Sequence, residues 1–333
     1  MSSKVTHLPA RARRLGALAA AALLSAVLSG CGGGQQVVKF EPRRVLAFGD
    51  EASVISPSGT KYSVNGFSAT SPTTLDCATN PIWVQYLATA FGLVFPQCNP
   101  AAVAAPLSRI YAAAGAKSAD VKTQIDQKLA VDDFSGSDLV TVLAGSNDIL
   151  AQYALYNGSN EEALKTTLEQ AGAALAAQVN RVAEAGGKVL VSTVPDLGLT
   201  PFAVAEAADP TKGPDRAPLL SRLTERFNAK LRLGIINDGR KIGLMLSDEL
   251  FQSMVKFPGS YSFVNVTLPA CTGVTGTAPV LTCTAATLRP ADTTVTTAAT
   301  ALNFLWADNI QPTYGGHLRL GQLAETRARG NPF

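Results

Sequence analysis

The sequence predicts an α/β fold: an open, doubly wound, mainly parallel sheet covered by helices on both faces. Three observations carry that expectation. Helix-like and strand-like segments alternate at the spacing of βαβ units. The strand-like segments, residues 45–48, 139–143, 188–192 and 242–246, are largely continuous apolar runs, which suits parallel strands buried on both sides. Several run into short turns containing Gly and Asp, at 49–50, 145–148 and 194–198, and ligands of open α/β sheets bind beyond the carboxyl ends of the strands.

Residues 1–30 read as an address. Arg11, Arg13 and Arg14 precede an apolar stretch, 15–28, that is too short to span a bilayer comfortably. Leu28-Ser29-Gly30-Cys31 resembles the lipobox of bacterial lipoproteins, which implies cleavage before Cys31 and acylation of its sulfur. Gly32, where an aspartate would mark inner-membrane retention, resembles the outer-membrane sorting class. Each buried methylene contributes about 0.8 kcal/mol, so more than one acyl chain would anchor the protein stably. The expected partner is therefore a membrane, reached through Cys31, in a bacterial envelope and facing the periplasm or the cell surface. Residues 31–42 read as the lipidated cysteine and a flexible Gly- and Gln-containing tether.

One domain is expected over residues 43–333. Its first strand, 45–48, ends in a turn at Gly49-Asp50. After a polar, turn-rich stretch, Pro81 is expected to open a helix carrying Ile82, Trp83, Tyr86 and Leu87. The second run, 139–143, ends in Gly145-Ser146-Asn147-Asp148. A long helix is expected over 161–185, stopped by Gly186-Gly187, then a strand at 188–192 and the turn Val194-Pro195-Asp196-Leu197-Gly198. A further helix at 219–237 leads to the strand at 242–246. Residues 261–301, rich in Thr, Pro and Gly, break the rhythm and read as a long surface excursion. The last helix is expected after Pro312, with Leu318, Leu320 and Leu323, and no internal repeat is evident.

Of the 28 Lys and Arg residues, four (Lys4, Arg11, Arg13, Arg14) sit in the leader, leaving 24 against 25 Asp and Glu. The mature chain is near neutral, with no basic stripe or aromatic ladder for nucleic acid. Five cysteines less Cys31 leave four, which allow three pairings or free thiols. The simplest set is local, Cys77 with Cys98 and Cys271 with Cys283. An exported chain meets the oxidising conditions these bonds need, and each would contribute on the order of 3 kcal/mol.

Four short blocks carry a resemblance. Phe48-Gly49-Asp50-Glu51-Ala52, Tyr111-Ala112-Ala113-Ala114-Gly115-Ala116, Gly145-Ser146-Asn147-Asp148 and Asp308-Asn309-Ile310-Gln311 resemble the signature blocks of the SGNH/GDSL hydrolases, in order and over nearly the whole mature chain. Pro312-Thr313 and Gly316-His317 also recur in that family, and residues 194–201 resemble its exported members. The resemblance implies a flavodoxin-like, three-layer α/β/α sandwich. It implies that Glu51 stands at the nucleophile position, Gly115 and Asn147 at the oxyanion-hole positions, Asp308 at the triad acid and Gln311 at the general base. The serine and histidine of that triad are absent.

A triad needs a nucleophile whose proton passes to a base that then protonates the leaving group. A glutamine amide does neither near neutral pH, and a glutamate would form a mixed anhydride with no base to resolve it. The sequence therefore predicts a frame without serine-type ester hydrolysis. The Glu51 carboxylate is expected to lie against the Gly115 amide and the Asn147 side chain, donors suited to an oxyanion, with Gln311 donating a further bond. An acylated or glycan ligand in the former cleft is the leading expectation.

Other readings stay open. One is an active carboxylic-ester hydrolase or acyltransferase with a rebuilt site, using Ser53, Ser56 or Ser146 as a displaced nucleophile or His317 as base. Another is a glycan-active enzyme in which two of Asp50, Glu51 and Asp308 stand about 5 to 9 Å apart, one with a raised pKa. No cofactor is implied, and no metal, since the chain lacks a His cluster and a calcium-loop spacing. The sequons Asn157-Gly158-Ser159 and Asn265-Val266-Thr267 read as incidental.

Overall fold

Five parallel strands form the central sheet: β1 (Arg44–Gly49), β2 (Arg109–Ile110), β3 (Asp138–Leu143), β4 (Lys188–Ser192) and β5 (Ile242–Met245), in the spatial order β2-β1-β3-β4-β5. The computed structural model describes residues 39–277 and 280–333, of which Phe40–Phe333 make one compact unit. The leader, Cys31 and the start of the tether lie outside the described residues. Every residue of β3 is buried, as expected of a strand covered on both faces.

Alternate side chains divide between two cores. Leu46, Phe48, Val140, Val142, Val189 and Val191 face α2 (Ser118–Leu129), α3 (Ser146–Tyr153), α4 (Glu161–Glu184) and α6 (Arg216–Gly234). Val45, Ala47, Leu139, Leu143, Leu190 and Met245 face α1 (Trp83–Ala90) and α8 (Tyr314–Gly330). The result is a three-layer α/β/α sandwich with the flavodoxin-type 2-1-3-4-5 strand order. In α4 the stripe Leu164, Leu168, Leu175, Val179 and Val182 keeps helical spacing toward the core, while Glu161 and Glu162 sit in the first turn, where the helix dipole favours acids.

Several boundaries move, each for a local reason. Pro81 does not open α1. The Gln85 side chain accepts the Ile82 backbone N–H at 3.0 Å, so helical geometry starts at Trp83. α6 starts three residues earlier than expected and stops at Gly234, where Asn180 donates to the Gly234 carbonyl (2.8 Å) and accepts from the Ile236 N–H (2.8 Å). β5 ends at Met245, one residue short of the expected run. α2, α3, α5 (Pro201–Ala208) and α7 (Ser247–Lys256) have no counterpart in the sequence reading.

Within residues 261–301, the strand Asn265–Pro269 pairs in parallel with Phe304–Trp306. Its buried residues pack against the domain: Cys271 and Cys283 cluster with Val64 and Ala307, and Ala270, Val295 and Ala299 with Phe304. Disulfides join Cys77 to Cys98 and Cys271 to Cys283. Residues 61–65 lie between the two: Lys61 donates to the carbonyls of Cys77 and Thr79, and the Asn65 backbone N–H to the Cys283 carbonyl.

Candidate functional site

β1 and β3 pair in register from Arg44↔Asp138 to Gly49↔Leu143, so both strands end at one level. β2 lies on the other side of β1, which makes this the point where strand order reverses and where open α/β sheets hold ligands. At Gly49 the chain turns with φ +129°, and a Cβ there would lie 1.8 Å from the Leu143 carbonyl oxygen. Only glycine lets the two ends come this close. The backbone of Gly49 is held by one buried side chain: Gln124 of α2 accepts its N–H (2.8 Å) and donates to its carbonyl (2.9 Å).

Asp50 and Glu51 follow. Asp50 caps a short 3-10 turn, Glu51–Ser53, by accepting the Ala52 N–H at 3.2 Å, and its own N–H bonds the Leu143 carbonyl. The turn points the Glu51 side chain inward, 2% exposed. The other blocks converge on it. The segment after β2 is zipped to β1 through the Ala47 and Gly49 carbonyls, which brings the Gly115 N–H to 2.9 Å from Glu51 Oε2. Asn147, in the first turn of α3, donates from Nδ2 to the same oxygen at 3.0 Å and to the Ala116 carbonyl at 3.2 Å. Gln311 donates from Nε2 to Glu51 Oε1 at 3.2 Å. Three N–H donors from three separate segments thus meet one carboxylate, an acceptor-only group when ionised.

Asp308 is buried as well, but it faces its own loop. Its Oδ1 accepts the backbone N–H groups of Ile310 (2.8 Å) and Gln311 (2.6 Å), and Oδ2 that of Val280 (3.3 Å), so it builds the turn that presents Gln311. Burial raises its pKa to about 6, with the Glu51 charge adding to the rise. Asp50 is raised well above the usual carboxylate range by burial and then by Glu51, and its Oδ2 has no hydrogen-bond partner among the described residues. Burial raises Asp148 too, against the Ser118 N–H and hydroxyl that bond it. The centre is crowded with carboxyl groups.

The remaining candidates lie apart from this convergence. His317 is fully buried in α8; its Nδ1 accepts the Trp83 N–H at 3.4 Å, and burial lowers its pKa to about 3, so the ring is neutral near pH 7. Among the described residues it has no bond to Asp308. The Ser53 hydroxyl is buried and has no partner among the described residues, Ser56 bonds Ser58 and Thr60, and Ser146 starts α3. Ser146 and Gln311 line a cavity of only about 20 Å³. A much larger groove, about 570 Å³, runs along α1 past Tyr86, Leu93 and Phe95 and shares no residue with the convergence. Among the described residues no three His, Cys, Asp or Glu come together as a metal site.

Sequence reasoning missed Gln124, the Ser118–Asp148 pair and Tyr62. The Tyr62 phenol is raised by burial and by the Glu51 charge. Next to it, Ser63 donates to the Pro312 carbonyl, tying residues 61–65 to the Gln311 turn.

Residues 45–320 match the family described as GDSL-like Lipase/Acylhydrolase. No curated protein matches the chain. Among solved structures, the lipase Lip_vut3 from a goat rumen metagenome is 12% identical, with 87% of this chain and 99% of that one covered, at a TM-score of 0.48. An extracellular lipase from Streptomyces rimosus is 17% identical over 86% of this chain and 99% of its own, at 0.43. An acetylxylan esterase from Geobacillus stearothermophilus is 13% identical over 87% and 96%, at 0.40.

Proposed function

The chain belongs to the GDSL-like lipase/acylhydrolase family, and we propose that it is a member that no longer hydrolyses esters by the serine mechanism, and that instead binds an acylated or glycan ligand at the same end of the sheet. One observation carries the reading: the Glu51 carboxylate sits on the Gly115, Asn147 and Gln311 donors. Donors of this kind accelerate acyl transfer only if they are free to meet the charge that develops on the substrate oxygen. Here a resident anion holds them before any substrate arrives.

The surrounding chemistry points the same way. Gln311 cannot carry a proton from nucleophile to leaving group. An acyl intermediate on Glu51 would be a mixed anhydride, beside Asp50 and Asp308, whose raised pKa values already register the Glu51 charge. An oxyanion raised there by any other nucleophile would meet the Glu51 charge, which already occupies the donors. We place the protein in a bacterial envelope, anchored through acylated Cys31 and sorted to the outer membrane.

Two measurements test this. Purified protein should give no turnover of short-chain aryl esters above buffer, and radiolabelled palmitate should enter the parent but not Cys31→Ala. Turnover that falls when Asn147 is changed to Ala would overturn the inactive reading, and equal label in both chains would overturn the anchor.

A further inference from the structure

A second cavity, about 370 Å³, opens where the end of α3 meets α5 and the start of α6. Its volume lies in the range of small-molecule sites, about 300–1,000 Å³. Its walls are aromatic and charged: Tyr153, Tyr156, Phe202, Glu206, Lys212 and Arg216. We propose that this cavity binds a sugar unit carrying a carboxylate, with the Arg216 guanidinium as its anion receptor.

Arg216 is held in place by a backbone carbonyl and two rings, with the Asp215 carboxylate near enough to feel its charge but not in contact with it. Its Nε donates to the Lys212 carbonyl at 3.0 Å, and its guanidinium carbon lies 4.9 Å from the Tyr156 ring centre and 5.8 Å from that of Tyr153. Its neighbours are neutralised: Lys212 pairs with Glu206 and Asp209, and Arg222 with Glu161 and Asp215. Arg216 forms no ion pair among the described residues. The Lys212 carbonyl and the two tyrosine rings hold the guanidinium in place, so a carboxylate can engage its remaining N–H groups with little further ordering.

The rest of the wall decides what carries that carboxylate. Phe202 stands edge-on to Tyr153, at 5.8 Å and 83°, and offers an apolar face for the C–H side of a ring. Glu206 accepts the Tyr153 hydroxyl (2.6 Å) and Lys212 (2.6 Å), a polar rim suited to hydroxyl groups. An alkyl chain would desolvate that rim and give nothing back. A sugar ring satisfies both faces.

The cavity is also tied to the site above. Asn309, between Asp308 and Gln311, accepts the Phe202 N–H on its carbonyl (3.1 Å) and donates from its side chain to the Gly276 carbonyl (2.8 Å). The proposal nonetheless stands whether or not Glu51 and Gln311 are inert, because it concerns binding at Arg216 and is read without turnover.

The test is calorimetric titration of the purified protein with trigalacturonate, with the neutral galactose trimer and octanoate as comparisons. The parent should bind trigalacturonate at least tenfold more tightly than either comparison. Arg216→Gln should weaken it at least tenfold and Tyr156→Ala severalfold, with the circular dichroism of both variants unchanged. Arg216→Lys, which keeps the charge but loses the fork, should also weaken it, and carries the test if Arg216→Gln fails to fold. No binding of trigalacturonate at millimolar concentration, binding unchanged in Arg216→Gln and Arg216→Lys, or octanoate bound as tightly would overturn the proposal.

Discussion

Replacing Glu51 by alanine should destabilise the protein, and the size of the loss follows from its three hydrogen bonds. Gly115 is exposed, so its N–H can turn to water at small cost. Asn147 is half-buried and Gln311 is 4% exposed, so their amide groups lose an acceptor with less relief. At about 1–1.5 kcal/mol for each of the two shielded donors and a few tenths for Gly115, the loss comes to about 2–3 kcal/mol. Relief of repulsion with Asp50 and Asp308 trims it but leaves the sign. Glu51→Gln should cost about 1 kcal/mol or less, because the Gln311 amide can reverse and accept from the new side chain. Urea unfolding of parent and both variants reads the difference from the midpoints. An acid kept for catalysis at the expense of the fold would behave oppositely, since removing such a group commonly stabilises. Glu51→Ala at or above the stability of the parent, or Glu51→Gln below Glu51→Ala, would refute the reasoning.

Three further outcomes follow from the same geometry. Asp308 has a folded pKa of about 6 against about 3.9 unfolded; its carboxyl therefore favours the folded state most at low pH, and that contribution is lost as pH rises through 6. Acidifying from pH 7 to 4.5 should stabilise the parent relative to Asp308→Asn by about 2 kcal/mol, and urea midpoints that shift equally in both would contradict it; Asp50, raised by burial, acts in the same direction. Gly49→Ala, whose Cβ would meet the Leu143 carbonyl at 1.8 Å, should yield no soluble folded protein, whereas Gly115→Ala, with open space around it, should cost only the left-handed strain of about 1–2 kcal/mol. Gln124→Leu should lower stability by about 1–3 kcal/mol by stranding the buried Gly49 N–H, and an unchanged urea midpoint would show that water replaces it.

The parallel sheet was legible because β1, β3, β4 and β5 are long apolar runs that burial on both faces requires. β2 was not: two residues, Arg109 and Ile110, show no period, and they pair only because residues 111–113 are drawn onto β1. α2 could have been found. Val121, Gln124, Ile125 and Lys128 share one helical face and all are buried, but two are polar, so the stripe reads as solvated until Gly49 and Phe134 supply their partners. The start of α1 depends on the Gln85 side chain folding back, which no propensity scale encodes. At the site, the position of Glu51 could be anticipated from the four blocks. The inward turn of Asp308 onto Ile310, Gln311 and Val280 could not, because it depends on a loop closing around it. The cluster at Arg216 was likewise hidden, since its tyrosines come from the end of α3 and the turn after it and its cation from α6, some sixty residues on.

We propose that this chain keeps the frame of a serine hydrolase while the Glu51 carboxylate occupies the oxyanion-hole donors and Gln311 cannot carry a proton. The most direct measurement is turnover of a short-chain aryl ester by the purified parent beside its Glu51→Ser, Gln311→His double variant. Turnover is expected in the double variant alone. Turnover by the parent, reduced in Glu51→Ala so that a contaminant is excluded, would contradict it.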